Sequence, residues 1–379
     1  MKVDQKKWSL PGKWQETACN GAGPSAQLVL LFGASNRMDD TAFRDLRSAY
    51  PEALIVGCST SGEICGTEVN DDTMVVTAVR FEHTNLRLAN AKVDNAADSY
   101  AVGADIAGTL NDGRQLCHVM VLSDGLNVNG TEIARGLREH LPETVAVTGG
   151  LAGDGDRFQQ TLVCSNAPPM AGQVAAIGFY GNRLKIGYGS LGGWDTFGPE
   201  RLITQSKGNV LYELDNESAL GLYKKYLGDH VAQLPASALL FPIALRSQHG
   251  GYSLVRTVLS IDEKEKSMTF AGDVPEGTYA RLMKANFDRL IDGAADAARF
   301  SLTGLDTFKP ELAVLISCVG RKLVLKQRVE EEVEGVRDTL GPQTILTGFY
   351  SYGEICPHGG ITKCELHNQT MTITAFAES

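Results

Sequence analysis

The segment Gly57-Cys-Ser-Thr-Ser-Gly-Glu-Ile-Cys65 returns near the C terminus as Gly348-Phe-Tyr-Ser-Tyr-Gly-Glu-Ile-Cys356. Each segment follows an apolar run that ends on its first glycine. Each then leads through a loop to a similar strand-like stretch, TMVVTAV from Thr73 and TMTITAF from Thr370. The shared GEIC, TM and TA occur in the same order, so the pattern indicates an internal duplication.

The duplicated unit begins further upstream, with an apolar run, a helical stretch and a proline. These are residues 26–33, 41–50 and Pro51 in the first copy, and residues 311–320, VEEEVEGVRDTL and Pro342 in the last. A looser middle copy starts at residues 117–125, passes Pro142 and ends in TGGLAGDGDRF. Continuous Val/Ile/Leu runs are typical of strands that are covered on both faces. The sequence therefore predicts a mixed α/β fold, in which internally duplicated strand–helix–strand units form layered mixed sheets flanked by helices.

A different pattern separates the middle copy from the last one. It predicts strands on either side of a turn at residues 207–209 and a helix from near Ser218. Residues 276–302 have apolar side chains at helical spacing, which predicts an amphipathic helix. We place a domain boundary near Asn216, giving a tail over 1–25 and domains over 26–215 and 216–379.

Several of these motifs together resemble the FIST sensory domain, in the order of that family. They are GCSTSGEI, GGLAGDG, FGPERLITQSKGNVLYELD and GFYSYGEI with ELHNQTMTI. The sequence of the second half looks most like that of the haem-binding, nitric-oxide-sensing branch called NosP. The resemblance implies two FIST modules that bind a small molecule or gas. It also implies a separate histidine kinase or cyclic-di-GMP enzyme as partner, as in two-component and biofilm regulation.

Composition limits the other partners. A formal charge of -10 and a pI near 5.3 argue against a nucleic-acid surface, because phosphates would repel it. No apolar stretch approaches the roughly 20 residues that span a bilayer, and the N terminus lacks the apolar core of a signal peptide. The eight cysteines are scattered. We expect a cytoplasmic chain without membrane insertion. The sequence does not decide whether the chain forms a homodimer.

The loops that follow the second strand of each unit are the predicted ligand site, because ligands in α/β sheets bind beyond the carboxyl ends of strands. The predicted contacts are Cys58, Ser59, Thr60, Ser61, Gly62, Glu63, Gly149, Gly150, Asp154, Tyr350, Ser351, Tyr352 and Glu354. The alternative is structural: the glycines permit tight turns, and Glu63 and Glu354 cap backbone amides.

Haem b, which the resemblance implies, needs an axial donor such as histidine. His367 in ELHNQT is the preferred candidate and His358 in CPHGG the second, because both flank the loop after the last GEI motif. The pair of His367 with Asn368 can equally be a structural hydrogen-bonding element. Cys356 and Cys364 leave an iron–sulfur centre as a minority alternative, although their spacing matches no standard cluster motif.

Three functions follow for testing. The first is a haem-based sensor of nitric oxide or of haem itself, and the second is a sensor of a small, amino-acid-like metabolite without haem. The third is a thiol hydrolase that uses Cys58, which is disfavoured because no histidine motif accompanies the loop to act as a base. We expect the chain not to be an enzyme.

Overall fold

Three copies of one strand–helix–strand unit provide most of the secondary structure. The computed structural model describes residues 1–9, 12–234, 236–246, 253–305, 307–357 and 364–379. In the sheet of each copy, two parallel strands lie side by side. A closing strand pairs antiparallel with one of them, and an outer strand pairs antiparallel with the closing strand. The predicted α/β fold with internal duplication is therefore confirmed.

The three copies follow one another along the chain. Copy 1 contains β1 (Lys2–Ser9), β2 (Lys13–Cys19), β3 (Leu28–Gly33), α1 (Asp40–Ala49), β4 (Leu54–Ser59), β5 (Glu63–Cys65), β6 (Glu68–Asn70) and β7 (Met74–Arg80). Copy 2 contains β8 (Asn85–Lys92), α2 (Ser99–Leu110), β9 (Leu116–Ser123), α3 (Gly130–His140), β10 (Ala146–Leu151), β11 (Val163–Ser165) and β12 (Gln173–Tyr180). Copy 3 begins with β13 (Leu184–Leu191).

An insert of about 90 residues then interrupts copy 3. The insert contains β14 (Asp195–Lys207), β15 (Val210–Leu214), β16 (Glu217–Ser218), α4 (Ala219–Leu227), β17 (Ile243–Arg246), β18 (Ser253–Arg256), β19 (Val258–Asp262), β20 (Ser267–Phe270) and β21 (Tyr279–Lys284). Copy 3 resumes with α5 (Phe287–Leu302), β22 (Leu312–Cys318), α6 (Val319–Leu325), α7 (Val329–Leu340), β23 (Ile345–Ser351), β24 (Gly353–Pro357), β25 (Cys364–His367) and β26 (Met371–Glu378).

Each copy extends the sheet of another copy: copy 1 gives β5 and β6, copy 2 gives β11, and copy 3 gives β24 and β25. The strand after the turn of copy 1, β5, pairs with β23 of copy 3. In the same way β11 of copy 2 pairs with β4 of copy 1, and β24 of copy 3 pairs with β10 of copy 2. The exchange is cyclic, so the three sheets are tied into one three-sheet body with approximate threefold symmetry.

The inner faces of these sheets share one apolar core. Phe32, Leu122, Ile316 and Phe349 lie in it and are at most 1% exposed. The outer faces are covered by helices, which explains the continuous apolar runs. Helix α1 shows how a cover helix is fixed: Asp39 accepts hydrogen bonds from the first backbone amides of the helix, while its apolar side packs on the sheet.

The insert forms a separate sheet in the order β18-β17-β21-β14-β15-β20-β19, with β16 paired to β15. The helix predicted over 276–302 is only partly right. Residues 279–284 form β21, because they pair on both sides with β14 and β17. Asn286 then caps α5 by accepting a hydrogen bond from the Arg289 amide, so the helix begins there.

The longest described helix is α5, with 16 residues. No helix within the described ranges is both long enough and apolar enough to cross a membrane.

Candidate functional site

The predicted ligand loops are three turns at equivalent places, directly after β4, β10 and β23. The glycines near the end of these strands, Gly57, Gly149 and Gly348, face the carbonyl of the neighbouring parallel strand. A Cβ atom at any of the three would stand 2.7 to 2.8 Å from that carbonyl carbon, which is closer than real Cβ atoms come. These glycines are therefore required by the close approach of two backbones.

The three turns bond to one another through their backbones. Counted from the three glycines, each donor is the fifth residue in its copy and each acceptor is the third residue in another copy. The bonds run from the Ser61 amide to the Tyr350 carbonyl (2.8 Å), from Gly153 to Ser59 (2.9 Å) and from Tyr352 to Leu151 (3.2 Å). The turns thus converge, and we call this arrangement the turn ring.

The two GEI carboxylates make matching bonds. Glu63 accepts from the Thr60 hydroxyl, the Thr73 amide (3.1 Å) and the Thr73 hydroxyl (2.6 Å). Glu354 accepts from the Ser351 hydroxyl (2.6 Å) and from the amide and hydroxyl of Thr370, both at 3.0 Å. Each carboxylate therefore links its turn to the start of its closing strand. Burial raises the pKa of Glu63 to about 7 and that of Glu354 to about 8, against these hydrogen bonds.

Copy 2 makes the corresponding link with a different residue. Gly172, which precedes its closing strand, donates its amide to the Asp124 carboxylate at 2.8 Å, and Asp124 follows β9. Asp154, which lies in the turn itself, is thereby available for other bonds. It accepts from the Tyr352 hydroxyl and from the backbone amides of residues 158, 159 and 160, each at 2.9 Å.

These bonds hold an exposed aromatic ring in place. Phe158 has a φ of +52°, which is rare for a bulky residue, and its ring stacks on Tyr352 with centroids 4.6 Å apart. Phe158 is nevertheless 47% exposed. Burial raises the pKa of Asp154, but the bonds from Tyr352 and from the amides outweigh it and hold the pKa below its usual value.

All the residues predicted as ligand contacts are buried, most of them inside the turn ring. The exposed fraction is at most 3% for Ser59, Thr60, Ser61 and Glu63, and Cys58 is in the central core. Tyr352 lines a cavity between the three-sheet body and the insert. The assignment of the other residues as ligand contacts stays a prediction.

A cavity of about 760 Å³ lies between the three-sheet body and the insert, and we call it the insert cleft. Its body side follows the carboxyl ends of β9, β10, β22 and β23, through residues such as Leu126, Leu151, Val319 and Tyr352. Its other side is the hairpin of β19 and β20. This is the position at which α/β sheets bind ligands.

The lining of the insert cleft is mostly apolar, with a few polar side chains. The polar residues are Asn129, Asp156, Asn209, Gln233, Thr257 and Asp273. No Lys, Arg or His belongs to the lining as far as the chain is described. Thr257 is 5% exposed, and its hydroxyl has no hydrogen-bond partner in the described part of the chain. Burial raises the pKa of Asp273, opposed by Arg256 and by a hydrogen bond from Asn129.

Haem binding requires a side chain that can act as an axial ligand of the iron, so we located the candidate ligands. His367 is 3% exposed, its Nε2 lies 3.0 Å from the carbonyl oxygen of Cys356, and it does not line the insert cleft. His358 lies outside the described residues. Within the described ranges, no group of three or more His, Cys, Asp or Glu could hold a metal ion. Cys318 and Tyr352 also line the cleft, but burial raises the pKa of the Cys318 thiol and the Tyr352 hydroxyl already donates to Asp154. The described lining also has no cationic side chain to pair with propionates, so it does not fit haem.

Family models match most of the chain. The FIST N domain matches residues 27–217, and the FIST C domain matches residues 219–357. The chain belongs to the FIST family. FIST domains are sensory domains that bind small molecules.

More specific similarities are distant. The uncharacterized protein MJ1623 of Methanocaldococcus jannaschii is 24% identical over 319 residues, which cover 77% of this chain and 59% of that protein. The FIST protein thus spans about 59% of the length of this relative. Among solved structures, cyanuric acid hydrolase from A. caulinodans has a TM-score of 0.33 and 10% identity, covering 94% of this chain and 91% of that one. A similarity at that level assigns no function.

Sequence reasoning missed most of the cleft. Phe158 ends the quoted TGGLAGDGDRF motif, so its aromatic side chain beside two aspartates was a usable signal. Thr257 and Asp273 gave none, because they flank an ordinary hairpin and reach the cleft only through the docking of the insert.

Proposed function

We propose that this FIST protein is the input component of a signalling system and that its small-molecule ligand occupies the insert cleft. The observation that carries the proposal is the cleft itself. Its volume of about 760 Å³ and its apolar lining with a few polar groups are typical of small-molecule sites. The lining comes from both the body and the insert, so a ligand contacts two parts of the fold at once.

Such a ligand can bias how the insert sits on the body, since a ligand shifts a conformational equilibrium by its differential contacts. The existing links include an apolar cluster that joins insert residues such as Met283 to α5 and α6, and the bond from Arg256 of the insert to the Leu366 carbonyl at 3.1 Å. A separate histidine kinase or cyclic-di-GMP enzyme would read this change. That partner is part of the proposal and rests on the family resemblance.

The test fills the cleft with a side chain. Leu126→Trp puts an indole into the body wall, whereas Met170→Trp adds the same group at an exposed position outside the lining. Nile red, a neutral apolar dye, serves as the probe. We expect the wild type and Met170→Trp to bind it with enhanced fluorescence, and Leu126→Trp to bind at least about tenfold more weakly, a loss of about 1.4 kcal/mol. Equal binding by all three folded proteins would refute the proposal.

Haem binding with nitric-oxide sensing is the narrower proposal, and it rests on the resemblance alone. It requires His367 to leave the Cys356 carbonyl, or another donor to take its place. A stoichiometric Soret band that shifts with nitric oxide and is lost in His367→Ala would support it. Reconstitution with haem that gives no such band would remove it.

We also propose that the protein is not a thiol hydrolase. Cys58 is fully buried, and burial raises the pKa of its thiol well above the usual value, so little thiolate forms at neutral pH. Iodoacetamide should label Cys58 only after unfolding. Rapid labelling of the folded protein at Cys58 would contradict this proposal.

A further inference from the structure

The insert cleft selects its ligand by charge, by an unsatisfied hydroxyl and by an aromatic surface. We propose that it takes a neutral or positively charged organic molecule that carries a flat ring and a hydrogen-bond donor, and that it excludes carboxylates and phosphates. This inference rests on the proposed function, because it names the class of ligand for the same cleft.

The charge of the lining comes from carboxylates. Asp156 and Asp273 line the cleft, and the described lining itself contains no Lys, Arg or His, although Arg256 and Arg135 outside it act on the Asp273 charge. The Arg256 guanidinium lies behind Asp273, where its Nε donates to the Asp273 carbonyl oxygen at 3.0 Å, and it lines the adjoining groove instead. An anionic ligand would meet like charge in a partly desolvated site, whereas an ammonium or hydroxyl group would donate to a carboxylate.

The Thr257 hydroxyl supplies a second polar contact. The Thr257 hydroxyl oxygen is fully buried without a partner in the described part of the chain, which is costly, so native structures rarely keep such a group without a reason. Thr257 immediately precedes β19, and Asp273 comes shortly after its partner β20, so both stand at the same end of this hairpin. A ligand donor at Asp273 therefore stands beside Thr257, and a change of the Thr257 χ1 rotamer would bring its buried hydroxyl to that donor.

The aromatic surface comes from Phe158. Its backbone is held in the left-handed region by Asp154, and one face of its ring is covered by Tyr352. A strained residue costs stability, and here the bonds that maintain it keep a large apolar ring half exposed at the cleft. Leu259 of the insert lines the same cleft and is 45% exposed. The two side chains offer a flat ligand an apolar contact on the body and another on the insert.

The test displaces Nile red from the whole protein with three probes of matched size: 2-phenylethylamine, 2-phenylethanol and phenylacetate. We expect the amine and the alcohol to displace the dye, and phenylacetate to be at least about tenfold weaker than the amine. Asp273→Asn should reduce that ratio strongly, whereas Asp105→Asn, at an exposed position on α2, should leave it unchanged. Thr257→Val should weaken the alcohol by about two- to tenfold.

The inference would be overturned if phenylacetate bound as tightly as 2-phenylethylamine, or if Asp273→Asn left the ratio of their affinities unchanged. If Nile red binds the cleft and none of the three probes displaces it, the ligand class is wrong while the proposed function stands. If Nile red binding is the same in wild type and Leu126→Trp, the proposed function fails and this inference fails with it.

Discussion

Alanine at the three turn glycines is the sharpest test of the threefold arrangement. Gly57, Gly149 and Gly348 occupy equivalent positions, and a Cβ atom at each would stand 2.7, 2.8 and 2.7 Å from the carbonyl carbons of Leu31, Val121 and Leu315. These carbonyls belong to buried strands, so no flexible side chain can yield. Each substitution must push two paired strands apart.

The expected cost follows from two terms. Overpacking a buried site costs about 1–3 kcal/mol and sometimes more. Displacing a strand also strains its backbone hydrogen bonds, and a buried amide left without a partner costs about 1–3 kcal/mol. We therefore expect each Gly→Ala variant to lose about 2–6 kcal/mol of unfolding free energy, with the three values within about 1 kcal/mol of each other.

Urea unfolding followed by circular dichroism measures these losses. Gly108→Ala is the matched control, because Gly108 lies in α2 with nothing within 4 Å of its added Cβ. There we expect no loss and a gain of up to about 1 kcal/mol from helix propensity. If the three turn variants stay within about 1 kcal/mol of the wild type, the close approach is not real. If only one of them is destabilised, the three turns are not equivalent.

Two further predictions concern buried charges. Burial raises the pKa of Glu354 from 4.5 to about 8, so the folded protein holds a proton that the unfolded chain releases, and the unfolding free energy should fall as pH rises between those values. Glu354→Gln should reduce that slope in urea titrations at each pH, and an unchanged slope would contradict the assignment. Arg321 and Glu332 are both fully buried, with Nη2 and Oε2 2.7 Å apart. Arg321→Met should therefore cost about 3–5 kcal/mol, and adding Glu332→Gln should recover part of it. A double variant no more stable than Arg321→Met would refute the charge argument.

The duplication could be predicted because it shows in short sequence patterns, namely the apolar runs and the repeated GEI motif. A strand covered on both faces must be apolar throughout, so β3, β9 and β22 stand out as unbroken runs. The GEI carboxylates also bind within their own copy, Glu63 to Thr73 and Glu354 to Thr370, and both partners recur in the sequence. Their structural role was the alternative left open beside ligand contact.

The strand exchange and the cleft could not be predicted in this way. Pairing of β5 with β23 joins residues nearly 300 positions apart, and no periodicity indicates which sheet a three-residue strand enters. In copy 2 the structural carboxylate comes from Asp124 at the end of another strand, so a search for a third GEI motif finds nothing. The partnerless hydroxyl of Thr257 exists only once the insert has docked on the body.

The cleft lies where the copies depart from their common pattern. Copies 1 and 3 continue from the turn almost directly into β5 and β24, whereas copy 2 runs through residues 156–162 before β11 begins, and that segment carries Phe158 and Asp156. Copy 3 departs by its insert, which carries Thr257 and Asp273. Copy 1 has neither departure, and none of its described residues lines the cleft. In the turn ring the backbone bonds and the two GEI carboxylates hold the three sheets together. The groups that line the cleft therefore come mainly from the parts that only one copy possesses.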